Sequence, residues 1–341
     1  MMKILADADL PNLPKLFPAP FEITTYKTNL ELQAMLPKHD VLICRSTLRV
    51  NGALLADSRI QCVATTSSGT DHIDHDYLKS KTIRLFDAKG SNAHAVADYV
   101  TATLAWLEIH HKITGKQAGL IGAGAVGTQV LKRLTSAGYH VTIYDPYKTS
   151  TGSLAHVHSL QALNHCDVLC IHPNLHHCAP YPSYNLINAA FLSTLKSGTS
   201  IINASRGGIV NETDLLKTQQ LIHYCTDVFM GEPDINPEIV DFATLCTPHI
   251  AGHSIEAKHD AMIQLSVQLH TYFNLPSAIT LNSITNMATD FTNMNHWQAY
   301  ALGLYSPYED TQILKSQNDK KTAYLTQRKA HTHRHNFVNQ S

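Results

Sequence analysis

The chain has 341 residues, of which 44% are hydrophobic and 16% charged, and its formal net charge is −1. At roughly 150 residues per domain this length predicts two or three domains, and the composition excludes a disordered or fibrous protein. The near-zero charge gives no general attraction to nucleic acid or to an anionic membrane, so the expected partner is a small molecule.

The N-terminus begins with a short predicted strand and lacks the apolar core of a signal peptide. No window of the sequence is long and apolar enough to span a membrane. Seven cysteines are scattered without the spacing of a disulfide-rich scaffold, which is typical of reduced thiols. We therefore expect a cytoplasmic protein that binds neither nucleic acid nor a membrane.

Apolar runs bounded by turn residues alternate with amphipathic stretches as far as residue 280, which predicts an α/β fold with a mainly parallel sheet. The first predicted strands are residues 3–7, 40–45 and 60–67, and short helices are predicted at 29–39 and 51–58. In residues 93–110 apolar side chains recur every three or four positions, which predicts a long helix that crosses between two domains.

A second series of strands is predicted at residues 117–122, 140–145, 167–172, 199–205 and 225–229, followed by a helix at 256–273. From residue 287 onward the composition changes to a mixture of polar, aromatic and basic residues. This change predicts a small appended domain or arm.

The stretch "GAGAVG" carries the pattern G-x-G-x-x-G, with Gly122, Gly124 and Gly127 between a predicted strand and a predicted helix. In such a turn the glycines allow a tight bend, a close approach to a pyrophosphate and close packing of helix on strand. Asp145 ends the next predicted strand, where a carboxylate can bind ribose hydroxyls and would repel a 2′-phosphate. The combination predicts NAD as the cofactor, with a chance glycine-rich turn as the weaker alternative.

Three chemically active side chains follow later predicted strands: Arg206 in "NASRGGIV", Glu232 in "DVFMGEP" and His249 in "TPHIAGH". Ligands of open α/β sheets bind outside the carboxyl ends of the strands, so these loops should converge near the cofactor. A histidine suits the base that accepts a hydroxyl proton, a glutamate can fix its tautomer, and an arginine can hold a carboxylate. Taken singly, Arg206 fits a surface cation and His249 is one of 22 histidines, but together the three predict oxidation of a 2-hydroxy acid.

The stretch "CDVLCIHPNLHHC", residues 166–178, contains cysteines and histidines that could suggest zinc. It has no paired C-x-x-C spacing, and Cys170 lies in an apolar predicted strand. His331, His333 and His335 alternate with other residues and are expected to be solvated or interfacial. We expect no metal cofactor.

The motifs "GAGAVG", "NASRGGIV", "DVFMGEP" and "TPHIAGH" resemble those of the D-isomer-specific 2-hydroxyacid dehydrogenases, over roughly residues 40–270. The motifs "CRSTLRVN", "SSGTDHID" and "GSNAHAVADYV", with the tail "YLTQRKAHTHRHNF", resemble a narrower branch that acts on 4-phospho-D-erythronate in pyridoxal 5′-phosphate biosynthesis. This resemblance implies a Rossmann-like doubly wound parallel sheet over residues 94–253 and a flavodoxin-like substrate lobe over 1–93, with a returning helix at 254–280. It also implies a small C-terminal α+β dimerisation domain over 283–341, and hence a homodimer.

Carried to this chain, the resemblance implies Arg206, Glu232 and His249 as catalytic groups, with His249 as the acid/base. The residues implied near the cofactor are Gly122, Gly124, Ala125, Val126, Gly127, Asp145, Pro173, Ala204, Ser205, Asp227 and Gly252. Those implied near the substrate are Arg45, Ser46, Arg49, Ser67, Arg206 and His253. The family's usual threonine-proline order is inverted at Pro173, and His253 replaces a tyrosine common in the narrower branch.

A phosphorylated substrate needs cations or N–H donors, and Arg45 and Arg49 are the first candidates, with the tail cations Arg328, Lys329 and Arg334 second. Two other functions fit the same motifs. One is a dehydrogenase for another 2-hydroxy acid, such as glycerate, glyoxylate or lactate, which would not need the tail. The other is a non-catalytic NAD-sensing interaction protein, which would not need a proton acceptor.

Overall fold

The computed structural model describes residues 2–148, 155–157, 159–276, 289–331 and 334–337. The chain divides into two compact units, one built from residues 1–92 and 255–286 and the other from residues 93–254 and 287–341. The sequence predicts the tail, residues 283–341, as a domain of its own. In the structure residues 287–341 fall in the same compact unit as the region predicted to bind NAD, and the separate domain stays a prediction.

The first unit is a parallel sheet with helices on its faces. Its strands are β1 (Met2–Asp7), β2 (Phe21–Tyr26), β3 (Val41–Cys44), β4 (Cys62–Thr65) and β5 (Arg84–Asp87), and its helices are α1 (Leu13–Leu16), α2 (Asn29–Met35), α3 (Gly52–Leu55), α4 (His75–Ser80) and α10 (Ile255–Tyr272). Hydrogen bonds order the strands β2-β1-β3-β4-β5, with every pair parallel. This order is that of flavodoxin-like sheets, so the fold predicted for this lobe is confirmed.

The second unit contains a larger parallel sheet. Its strands are β6 (Gln117–Ile121), β7 (His140–Tyr144), β8 (Ala155–Val157), β9 (Val168–Ile171), β10 (Thr199–Asn203), β11 (Ile222–Thr226) and β12 (Leu245–Cys246). Their order is β12-β11-β10-β9-β6-β7-β8, so the chain runs outward from β6 in one direction and then in the other from β9. This is the doubly wound Rossmann order, as predicted, and its topological switch point lies between β6 and β9.

The helices of the second unit cover both faces of this sheet, and the last three of them belong to the tail. They are α5 (Ala93–Ile109), α6 (Ala125–Ser136), α7 (Ala189–Leu192), α8 (Glu212–Lys217), α9 (Pro237–Phe242), α11 (Trp297–Leu304), α12 (Pro307–Ser316) and α13 (Lys320–Ala330). Helix α5 is buried along most of its length because it is apolar around most of its circumference. No described helix is long and apolar enough to cross a membrane.

The described residues of the tail, 289–331 and 334–337, contain three helices. Among these described residues, Arg334 forms an isolated parallel β-bridge with Ser254. Trp297, Ala301 and Phe337 belong to the same apolar core as α5 and the central strands, whereas Leu314 and Tyr324 belong to the core on the other face of the sheet. The tail therefore contributes to both cores of the second unit.

Candidate active site

The turn between β6 and α6 has the geometry of a phosphate cradle. Gly122 has φ +85°, and a Cβ added there would lie 2.8 Å from the Pro173 nitrogen, while a Cβ on Gly127 would lie 2.0 Å from the Gly122 carbonyl oxygen. A Cβ on Gly124 would meet nothing within 4 Å. Two glycines therefore keep the turn tight, and the third leaves open space before the N-terminus of a 12-residue helix. These features fit a pyrophosphate held by the N–H groups of α6, which include those of Ala125 and Val126.

Asp145, immediately after β7, is tied to this turn. Its Oδ2 accepts a hydrogen bond of 2.8 Å from the Ala123 amide, and its Oδ1 accepts one of 3.1 Å from the Tyr147 amide. Each carboxylate oxygen has a further lone pair, so the side chain keeps the capacity to accept hydrogen bonds from ribose hydroxyls. The position suits the role predicted for it.

Pro173 and Ser205 join the loops that follow β9 and β10. The Ser205 hydroxyl donates to the Pro173 carbonyl, and the Asn203 amide side chain bonds the Ser205 amide (3.2 Å) and the Arg206 carbonyl (3.1 Å). The residues that the sequence predicts near the cofactor at Pro173 and Ala204–Arg206 thus lie together at the carboxyl edge of the sheet, beside the glycine turn.

Arg206 is half-buried on a loop that glycine brings close to the next strand. A Cβ on Gly207 would lie 1.9 Å from the Phe229 carbonyl oxygen, so only glycine lets the two backbones meet. The Arg206 Nη1 donates to the Ser205 carbonyl at 2.8 Å. The loop of Arg206 therefore packs directly on the segment that leads to Glu232.

Glu232 and His249 form a hydrogen-bonded pair, with 2.7 Å between Oε2 and Nδ1. The other carboxylate oxygen accepts a 2.8 Å hydrogen bond from the Phe229 amide. Burial acts to raise the pKa of Glu232, but His249 and these hydrogen bonds outweigh it and lower the pKa below its usual value. An ionised Glu232 can only accept, so Nδ1 of His249 carries the proton and Nε2 is left able to take one.

His249 adopts a left-handed backbone with φ +57°, which is uncommon for a residue with a side chain. Asp227 holds this turn: Oδ1 accepts from the Thr247 hydroxyl and the Ile250 amide, both at 2.7 Å, and Oδ2 accepts from the Ala251 amide at 2.9 Å. Burial raises the pKa of Asp227 to about 6, against the opposing effect of His249 and these donors. The visible role of Asp227 is to shape the His249 loop, and the cofactor contact implied for it stays a prediction.

Gly252 and His253 follow directly on this loop. The His253 amide donates to the Ile250 carbonyl at 2.9 Å, and the His253 ring lies 5.8 Å from that of His331 in the tail, measured between ring centroids. His253, which replaces a tyrosine common in the narrower branch, therefore has the His331 ring as a neighbour.

The remaining residues predicted near the substrate lie in the first unit. The Arg45 guanidinium forms ion pairs of 2.8 Å with both Asp7 and Asp9. Ser46 and Arg49 are exposed, and Ser67 is half-buried. Arg45 is thus already held by two carboxylates, which leaves less of its charge for a ligand.

Two residues near the site were not identified from the sequence. Tyr324, on α13 of the tail, contacts the Glu232 carboxylate, and nothing in the local sequence indicates so distant a partner. The sequence suggests His172 only as a metal ligand. Both its ring nitrogens are buried without a hydrogen-bond partner among the described residues, and burial lowers its pKa to about 3. The described residues contain no cluster of three or more side chains that could hold a metal ion.

Comparisons with known proteins give a family model and relatives. The model described as D-isomer specific 2-hydroxyacid dehydrogenase, NAD binding domain, matches residues 92–251. A curated relative from Legionella pneumophila, named erythronate-4-phosphate dehydrogenase, is 49% identical over 337 residues, covering 99% of this chain and 96% of the relative.

Solved structures show the same fold at lower identity. NAD-dependent formate dehydrogenase from Staphylococcus aureus, in complex with NAD, has a TM-score of 0.66 at 22% identity and covers 80% of this chain and 96% of its own. An NAD+-bound 3-phosphoglycerate dehydrogenase from Entamoeba histolytica has a TM-score of 0.66 at 19% identity and covers 84% and 99%.

Proposed function

The chain belongs to the erythronate-4-phosphate dehydrogenases, within the D-isomer specific 2-hydroxyacid dehydrogenases, and on this premise we propose that it oxidises 4-phospho-D-erythronate with NAD. The product is 2-oxo-3-hydroxy-4-phosphobutanoate, and the reaction belongs to pyridoxal 5′-phosphate biosynthesis. The observation that carries the proposal is the Glu232–His249 pair at the carboxyl edge of a dinucleotide-binding sheet. A sensor that only bound NAD would not need this pair.

Bound NAD would accept the hydride that leaves C2 of the hydroxy acid. His249 takes the hydroxyl proton on Nε2, because its Nδ1 proton is donated to Glu232. The electron pair of the broken O–H bond forms the C2 carbonyl, so the substrate loses two electrons and two hydrogens. Glu232 stabilises the resulting imidazolium, and Arg206 holds the substrate carboxylate.

For the substrate phosphate we propose Arg49 as the principal cation of the first unit. It is exposed, whereas Arg45 shares its guanidinium between Asp7 and Asp9. The tail cation Arg334 is engaged by the carbonyls of Ala95 and Ala251.

Arg49→Ala is expected to raise the KM for 4-phosphoerythronate by roughly tenfold, because a charge-assisted hydrogen bond to the phosphate is lost. The KM for unphosphorylated erythronate should stay near its original value. Steady-state kinetics on the two acids, with the exposed cation Arg59 changed to alanine as a control, check this. An equal rise for both acids would assign Arg49 another role.

We also propose that the protein is a cytoplasmic homodimer that pairs through its tail. Exposed apolar side chains on the tail helices support the pairing: Leu304, Tyr308, Ile313 and Leu325 are 43–51% exposed. Free thiols at all seven cysteines fit a reducing compartment. Light scattering after gel filtration measures the assembly.

The test of the activity is NADH absorbance with purified protein, NAD and 4-phosphoerythronate, run beside erythronate, D-glycerate and D-lactate. Each assay is run with and without a 2-oxo acid that reoxidises tightly bound cofactor. We expect turnover of the phosphorylated acid, and a loss of roughly 10²- to 10⁴-fold in kcat/KM for His249→Gln. The exposed His259 changed to glutamine is the matched control. Turnover of a different acid would keep the chemistry and reject the substrate, and NAD binding without any turnover would favour the sensor.

A further inference from the structure

The tail helix α13 packs against the segment that carries Glu232. Tyr324 on this helix is 2% exposed, and its ring makes an edge contact with that of Phe229, with 6.3 Å between centroids and 80° between the planes. The backbone of Phe229 is also the amide donor to Glu232 Oε1. Phe229 thus links the tail to the acid/base pair: its ring packs on Tyr324, and its amide donates to the Glu232 carboxylate.

The Tyr324 hydroxyl has two polar neighbours. Arg328, one turn further along α13, donates from Nη1 to the phenol oxygen at 3.0 Å. The other neighbour is the Glu232 carboxylate, which interacts electrostatically with the phenol. Because Arg328 can only donate, it occupies a lone pair of the phenol oxygen and leaves the phenol proton to the carboxylate.

We propose that Tyr324 is a positioning residue for the Glu232–His249 pair, donating its hydroxyl to Glu232 while Arg328 fixes the direction of that hydroxyl. The inference rests on the proposed function, in which His249 is the acid/base. It gives the tail a role in the chemistry in addition to pairing subunits.

The effect of Tyr324 on His249 depends on how many hydrogen bonds the Glu232 carboxylate accepts. The carboxylate accepts hydrogen bonds from the Phe229 amide and the His249 ring, and the proposal adds the Tyr324 hydroxyl as a third donor. Removal of one donor leaves the negative charge less dispersed, so the carboxylate attracts the imidazolium more strongly. His249 should then keep its proton to higher pH, so the neutral imidazole that acts as the base should form only at higher pH.

The other charged groups around the pair stay in place when the phenol is removed. Glu212 on α8 bonds the Met230 amide and interacts electrostatically with Glu232, and Asp227 interacts with His249. Burial raises the pKa of Tyr324 well above its ordinary value, and the nearby Glu232 adds to this effect. The phenol therefore stays a neutral donor at every pH at which the enzyme would work.

Tyr324→Phe tests the inference because it removes the hydroxyl and keeps the ring that packs on Phe229. We expect the acid limb of the kcat/KM profile to move up by roughly half a pH unit, with kcat lowered several-fold. Thr326→Val is the matched control, since it removes an exposed hydroxyl from the same helix α13. Arg328→Met should shift the acid limb in the same direction, and it replaces the first variant if that one does not fold.

A second readout does not depend on turnover. The His249 ring is titrated by NMR in protein labelled at the histidine Cε1, without substrate, and its signal is assigned by its absence in His249→Gln. An upward shift in Tyr324→Phe supports the inference even if no acid is turned over, in which case the proposed function alone fails. Turnover with a titration and a pH profile identical to those of the unmodified protein overturns the inference and leaves the function standing.

Discussion

At the scale of single residues, the pKa values of the two carboxylates beside His249 are shifted in opposite directions. Glu232 bonds the imidazole itself, and the resulting interactions lower its pKa in spite of burial. Asp227 is 1% exposed and bonds the loop around the imidazole, where burial outweighs its donors and raises its pKa. One carboxylate therefore sets the charge and tautomer of the ring, and the other fixes the strained backbone from which the ring projects.

Asp227→Asn isolates the second role through the pH dependence of stability. The pKa of Asp227 in the folded protein, about 6, lies above its ordinary value of 3.8, so between these values the folded state binds the proton more strongly. The stability that this proton contributes is complete below the lower value and is lost as pH rises through about 6. The free energy of unfolding of the unmodified protein, minus that of Asp227→Asn, should thus fall from pH 4 to pH 7 and then level off. Urea unfolding across this range measures it, and a difference independent of pH would contradict the raised pKa.

At the scale of elements, two glycines of the β6–α6 turn have different roles. Gly127 avoids a clash within the turn, whereas Gly124 leaves open space beside it. Gly127→Ala should destabilise the protein by about 1–3 kcal/mol or more, since the new Cβ meets a backbone oxygen at 2.0 Å. Gly124→Ala should leave the melting temperature nearly unchanged, since nothing lies within 4 Å of its Cβ, yet lower the affinity for NAD by roughly tenfold or more. Thermal unfolding and NAD titration calorimetry separate the two effects. Normal NAD binding by Gly124→Ala would place the pyrophosphate elsewhere.

The elements that the sequence predicts well are those whose whole length obeys one pattern. The β6–α6 turn and the helix at 93–110 were located nearly to the residue. Strand β11 was predicted at 225–229 but spans Ile222–Thr226, because Val228 and Phe229 are apolar for a different reason: they are buried in the loop beneath Glu232. The sequence does not indicate strand β2, since this strand lies at the edge of its sheet and has few buried residues.

The functional residues divide in the same way. Arg206, Glu232 and His249 stand in short motifs, and their loops can be placed together from the strand order alone. Tyr324 could not be found, because its contact with Glu232 depends on how α13 packs, and helix packing leaves no local pattern.

At the scale of the whole molecule, the tail is joined to the second unit by buried polar contacts as well as by its apolar cores. Asp98 on α5 is fully buried, pairs with Arg133 of α6 at 2.5 Å and accepts from the Phe337 amide at 2.8 Å. The half-buried Arg334 donates to the carbonyls of Ala95 and Ala251, the second of which lies in the His249 loop. Because each contact satisfies groups of the NAD-binding region, we expect the tail and that region to fold as one cooperative unit.

Thr311→Val tests this cooperativity, because the buried Thr311 hydroxyl on α12 accepts from the Cys246 amide of β12 at 2.9 Å. Loss of the hydroxyl leaves that buried amide without its partner and should cost about 1–3 kcal/mol. Trp106→Phe leaves Trp297 on α11 of the tail as the fluorescent probe. Trp297→Phe leaves Trp106 on α5, whose ring also stacks on Tyr308 of the tail. In urea both probes should show one coincident transition, and Thr311→Val should move both to the same lower midpoint. The exposed Thr326→Val is the control and should move neither. A second transition in either probe, with a midpoint that Thr311→Val does not move, would mean that the tail unfolds independently, as the separate domain predicted from the sequence would.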